Sequence, residues 1–213
     1  MTQGYEMYML RITRSILRAA VACALVLGIT SAGAHAQNTQ TALLGTTDIN
    51  LSSSFISTLQ GWSVTSGTVF PTRMTGTDVT FPVTSGAIDL SSGKGQFLHS
   101  GGLTLTYGTK VVVLQSFIID TTTLSKPVIT GIVSVNGTFL GRMTLFDLTL
   151  PPGISLPLNA PHGFLKLSGF GVTLDSGAAT ALDYIFNVTV IKGGMPIGTA
   201  SAEALLRPPT DGQ

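Results

Sequence analysis

A mainly β fold, an antiparallel β-sandwich with two short docked α-helices behind a signal peptide, is predicted by three observations. Gly, Thr, Ser and Val abound while charged residues make up only 10% of the 213 residues, with few Lys and Glu, which favours strands and tight turns over helices. Short apolar runs follow one another closely, divided by Gly-, Ser- and Asn-bearing turns. Only two stretches show helical periodicity, and both are brief.

The chain opens with Arg11, Arg14 and Arg18, an uncharged apolar run from Ala19 to Ile29, and the small residues Ala34-His35-Ala36. Basic, apolar, then small-x-small is the order of a secretory signal peptide over residues 1–36, with cleavage expected after Ala36. The run is far shorter than the roughly 20 residues that span a bilayer, so no membrane span is expected after cleavage. The expected location is the cell envelope or the exterior. Cleavage also removes Cys23, the only cysteine. A mature core must then hold without disulfides in an oxidising compartment.

Eight basic and nine acidic residues follow Ala36, spread without blocks. No basic stripe is present to neutralise phosphates, so nucleic acid is not an expected partner. The Asp residues are isolated rather than alternating, which does not suit a calcium loop. The remaining length is that of one domain with ample apolar content for a core.

Residues 37–46 are polar and unpatterned and read as a flexible leader; the folded domain is expected over 47–206, with a disordered tail over 207–213. Ser52 caps a first helix whose Phe55, Ile56 and Leu59 point inward, with Gly61 at its left-handed exit. Strands follow over 78–84, 87–90, 96–100 and 103–106, cut by Ser85-Gly86, by Ser-Ser-Gly-Lys and by Gly101-Gly102. Lys110 to Asp120 is apolar on both faces, as a strand covered on both sides is. Asn136-Gly137 tolerates the positive φ angles of a type I′ turn and predicts a hairpin of 128–135 with 138–150, bulged at Gly141. Four prolines make 151–163 a surface loop. Asp175 caps a second helix with Ala178, Ala181, Leu182, Ile185 and Phe186 on one stripe. Neither helix is long enough to stand alone in water.

The two helical segments resemble each other. Ile49-Asn-Leu-Ser-Ser53 matches Val172-Thr-Leu-Asp-Ser176, with Leu59 at the offset of Leu182. Each predicts a strand, a capped helix and a valine-bearing strand; either this is a chance likeness of two simple patterns, or the two units occupy related positions at the ends of a sandwich.

Two histidines and two tyrosines follow Ala36, a thin inventory for catalysis. No Gly-x-Ser-x-Gly, His-Glu-x-x-His or phosphate-cradling glycine loop is present, so an enzyme is not expected. His99 lies on a strand beside Phe97, just before two glycines that permit close approach of a backbone or a flat ligand. Its plain reading is a half-exposed residue on the polar face of a sheet. His162 belongs to an exposed loop. Trp62, Phe70 and Phe146 read as core and edge packing rather than as a groove.

The stretch Phe97-Leu98-His99-Ser100-Gly101-Gly102-Leu103-Thr104-Leu105 resembles the F-x-G-H-x-G-x-L-x-L segment of HtaA-type domains, secreted or surface haem-binding modules of bacteria. Phe81 to Asp89 is similar to the strand pair before that segment. The alanine-rich helix after Leu174, with the later Gly-x-Pro, is similar to the closing segment. The resemblance covers about Leu51 to Leu205. It implies haem as ligand, held by a tyrosine in a Ser-Phe-x-x-Tyr context that a histidine supports by a hydrogen bond. Here that context is Ser54-Phe55-Ile56-Ser57-Thr58, so threonine replaces the phenolate, and Leu98 replaces the glycine before the histidine. Ligand-binding candidates are therefore His99, Tyr107, Thr58 and Phe55, with Tyr107 a substitute for the missing phenol. The resulting expectation is a secreted, non-enzymatic binding module for haem or another flat apolar ligand. A structural or adhesive extracellular protein without a small ligand is the rival.

Overall fold

The computed structural model describes residues 38–207. The expected signal peptide over 1–36 lies outside the described residues, as does the expected tail over 207–213 apart from Arg207, which ends β11. Among the described residues eleven strands and two α-helices are formed: β1 (Thr39–Leu51), α1 (Ser53–Gly61), β2 (Thr65–Val69), β3 (Arg73–Thr75), β4 (Asp78–Asp89), β5 (Lys94–His99), β6 (Gly102–Tyr107), β7 (Lys110–Asp120), β8 (Val128–Val135), β9 (Thr138–Thr149), β10 (Phe164–Leu174), α2 (Ser176–Phe186) and β11 (Pro196–Arg207).

The fold is mainly β and antiparallel with two short helices, but it is not a sandwich of two sheets. One sheet runs β7-β5-β4-β1-β11-β10-β9-β8, and β8 pairs back onto β7, closing an eight-stranded barrel. Sequence patterning does not separate the two architectures, because each buries one face of every strand. Closure removes the sheet edges that a sandwich leaves open.

The expected leader over residues 39–46 is instead the first half of β1, paired with β4 on one side and β11 on the other. Residues 41, 42, 45 and 46 are paired on both edges, which holds their backbone whatever their side chains. A bulge between Ala42 and Leu44 keeps Ala42 inside and leaves Leu43 and Leu44 exposed, which hides the alternation from the sequence. Ser85-Gly86 likewise fails to end a strand. β4 runs through it with a register shift, and a side chain at Gly86 would collide with the backbone of β5.

The hairpin at Asn136-Gly137 forms as expected, with φ of 48° and 83°, and Gly141 (φ 122°) marks the bulge opposite Val133. Residues 151–160 have no regular structure. In α1, Ser52 Oγ accepts from the Phe55 amide at 3.1 Å. The left-handed exit is Ser63 (φ 56°), two residues beyond Gly61, which remains helical. In α2, Asp175 Oδ1 accepts from the amides of Gly177 at 2.8 Å and Ala178 at 3.1 Å. Asp175→Ala leaves those donors without their side-chain acceptor and is expected to cost about 1 kcal/mol, read as a shift in the urea midpoint.

β1 and β10 flank β11, run in the same direction and each ends in a capped helix. The two similar segments thus do occupy related positions, at one end of the barrel where β11 begins. The second lacks the strand expected around Val188.

Candidate functional site

The strand pattern that builds the wall also forks it. β7 pairs along one edge with β6 through residues 110–115 and with β5 through 118–120. Ser116, at φ 53°, absorbs the irregularity between them, and its amide donates to the Gly101 carbonyl. Beyond His99, the last residue of β5, the wall therefore splits. β6 and β2 extend from β7, and β3 extends from β4. Gly101 (φ 79°) and Gly102 make the step, because a side chain on either would strike backbone of Val69, Thr72 or β7. The close approach foreseen at these glycines is by the chain itself.

At this forked end lies a cavity of about 100 Å³. Its floor is strand residues such as Phe81, Val112 and Phe117; its cover is Phe55, Leu59 and Trp62 of the α1 segment with Ala181, Leu182 and Ile185 of α2. Nearly every lining group is apolar. The exceptions in side-chain chemistry are Thr47, Ser66 and His99.

His99 is buried at 5% exposure, not half-exposed on a polar face. Strand alternation sets it on one face with Phe97, opposite the outward Leu98, and closure of the sheet makes that inner face dry. Its Nδ1 lies 3.3 Å from the Phe117 carbonyl oxygen, which can only accept, so Nδ1 carries the proton. Nε2 is then an acceptor for the Thr47 hydroxyl at 2.8 Å. Burial lowers the pKa from 6.5 to about 4, against the opposing pull of the Phe117 and Phe97 backbone, so the ring is neutral at physiological pH. A base this weak leaves the Thr47 hydroxyl unactivated at neutral pH. The pair serves as a polar fixture in an apolar wall.

Of the four ligand-binding candidates read from the sequence, Phe55 and His99 line this cavity together. Thr58 does not. It sits half-exposed on α1 with its hydroxyl donating back to the Ser54 carbonyl at 2.8 Å. Tyr107 does not either; it lies at the far end of β6 from His99, its ring 5.5 Å from that of Phe186. His162 is exposed in the turn before β10. Phe146 is core and Trp62 is half-buried on the core, yet both also line the cavity, against the expectation of packing alone; Phe70 is 89% exposed, so packing does not account for it. Thr47, the partner of His99, was missed. Its two-residue spacing from Ile49 was the available signal, obscured by the apparently unpatterned stretch just before it.

No protein-family model matches this sequence, and no curated protein does. Solved structures do. The C-terminal domain of HtaA from Corynebacterium glutamicum aligns over 79% of this chain and 99% of its own length, at a TM-score of 0.62 and 16% identity. This chain has the HtaA-type fold. The N-terminal HtaA domain of the same organism aligns over 77% of this chain and 97% of its own (TM-score 0.54, 11% identity). The heme binding protein HtaB, also from C. glutamicum, aligns over 79% and 95% (TM-score 0.53, 14% identity).

Haem is the ligand expected from the sequence resemblance, and the donors around the cavity test it. Iron needs a ligand atom with a free lone pair. No tyrosine lines the cavity, and both nitrogens of His99 are already engaged. The remaining soft donors are the thioethers of Met74, Met143 and Met195. The lining fits the apolar body of a flat ligand but offers no phenolate for its metal. Among the described residues no cluster of three His, Cys, Asp or Glu side chains is present, and no helix is long and apolar enough to cross a membrane.

Proposed function

We propose that this protein is an exported, non-enzymatic binding module that takes a flat apolar ligand of the porphyrin class at the helix-covered end of its barrel. The observation that carries the reading is the apolar cavity under α1 and α2, at the fork where β5 ends in His99. The basic-apolar-small order at the start of the sequence supports export to the envelope or beyond. HtaB, a heme binding protein of the same fold, supports the ligand class.

The cavity is well below the roughly 300–1,000 Å³ usual for sites of drug-sized ligands. A macrocycle therefore enters by shifting the cover. The nine-residue α1 suits that role: within it only Leu59 is fully buried, and so short a helix is held by packing alone. Binding then draws on apolar contact with the ring and not on an iron–phenolate bond.

Trp62, the only tryptophan of the chain, lines the cavity and reports on its occupancy. Titration with hemin, and separately with metal-free protoporphyrin, is expected to quench its fluorescence saturably, with affinities within a few-fold of each other. Absence of saturable quenching by either would remove the proposal. Tight hemin binding with none of the metal-free ring would show an iron ligand and overturn the apolar mode.

A further inference from the structure

A second cavity, of about 120 Å³, occupies the opposite end of the barrel. Most barrel strands contribute to the two in turn along their length, whereas β8 lines only the first. β11 gives Ile197 to the first and Ala202 to the second, and β10 gives Leu174 and then Phe170. Only Thr47 and Ile119 line both, so they form the partition. The space exists because β11 turns the small residues Ala200 and Ala202 inward where other strands of the barrel present Phe97, Leu148 and Leu167.

We infer that this loop-covered end is a second ligand site, for a small uncharged hydrocarbon-like molecule of about one aromatic ring. Three observations carry it. First, the size approaches the roughly 150 Å³ at which a dry apolar cavity binds benzene. Second, no charged side chain lines it, and its hydroxyls are already committed to the wall. Thr121 donates to the Gly93 carbonyl at 2.8 Å, Ser92 to Asp89 at 2.7 Å, and Thr47 to His99. Ser201 lies on the outward side of β11 by alternation with Ala200 and Ala202. A ligand there finds no directional partner, which excludes carboxylates and other anions. Third, the cover is the irregular segment 151–160, whose Ile154 and Leu156 line the cavity while 37% and 50% exposed. The access route is therefore itself apolar and lacks the backbone ladder that holds the walls.

Toluene titrated into the purified protein, followed by methyl NMR, tests the site. Saturable shifts are expected at Leu148, Leu158 and Leu167. They should vanish in Ala202→Leu, which fills the space, and persist in Ala181→Leu, which fills the other cavity. Hemin or protoporphyrin quenching of Trp62 should be unchanged by Ala202→Leu, so failure of one site does not imitate failure of the other. Where Ala202→Leu does not fold, Ala200→Val supplies a smaller filling on the same strand. No saturable shift, shifts confined to Leu59 and Ile185, or shifts that survive filling would each overturn the inference.

Discussion

Lowering the pH from 7 to 4 is expected to remove about 3 kcal/mol of folding stability through His99 alone. In the folded protein its pKa is about 4, against 6.5 for an ordinary histidine, because burial disfavours the charged ring. Above pH 6.5 both folded and unfolded chains hold it neutral, and the contribution is complete. Below 6.5 the unfolded chain binds the proton first, so stability drains away until the folded ring also titrates near pH 4. The size follows from about 1.4 kcal/mol per unit of pKa difference. Protonation would also leave Nε2 a donor facing the Thr47 hydroxyl, which must then turn its own hydrogen elsewhere in an apolar cavity. Urea midpoints between pH 7 and 4.5 check this, with His99→Phe as control. The variant should be weaker at pH 7, because Thr47 is left buried and unpaired, yet nearly flat across the same window. A wild-type profile as flat as the control would show that His99 is not held neutral inside the barrel.

Phe81→Ala is expected to cost about 3–5 kcal/mol, the range for truncating a buried phenylalanine. Phe81 is 3% exposed on β4 and meets Phe117 edge-to-face, with ring centroids 5.1 Å apart. Both rings line the helix-end cavity, and Phe117 also supplies the carbonyl that fixes the tautomer of His99. The closed sheet limits how far the walls can collapse into the space, so the upper half of the range applies. Denaturant unfolding should show the loss with little change in slope, because the barrel still closes. A cost below about 1 kcal/mol would mean that the wall around His99 relaxes freely and is not a packed, shaped surface.

Much of the local structure was legible in the sequence. Asn136-Gly137 and Asp175 act through their own backbone neighbours, so their consequences do not depend on the rest of the molecule. The alternation of Phe97, Leu98 and His99 puts Phe97 and His99 on one face for the same reason, but which way that face turns is set by the closed sheet. Reading failed where pairing outweighed patterning. Residues 39–46 look like a tether because few of their side chains need the core, but two flanking strands hold their backbone. At Ser85-Gly86 the glycine answers the close passage of β5 and not a reversal of the chain. Of the candidate site, Phe55 and His99 were named from sequence and share a cavity, whereas Thr47 emerged only when β1 was placed beside β4 and β5 came to lie behind it.

By itself the sequence determined the two helices and their N-caps, the Asn136-Gly137 hairpin, and most of the strand positions between residues 78 and 149. These depend on spacing and on contacts a few residues apart, which a linear chain contains. Closure of the barrel, the dryness around His99, the pairing of His99 with Thr47 across 52 residues, and the division of the interior into two cavities were decided by tertiary structure. Each depends on which strands become neighbours. Period-two patterning is the same for every partner a strand might take, so that choice is not written in any single segment.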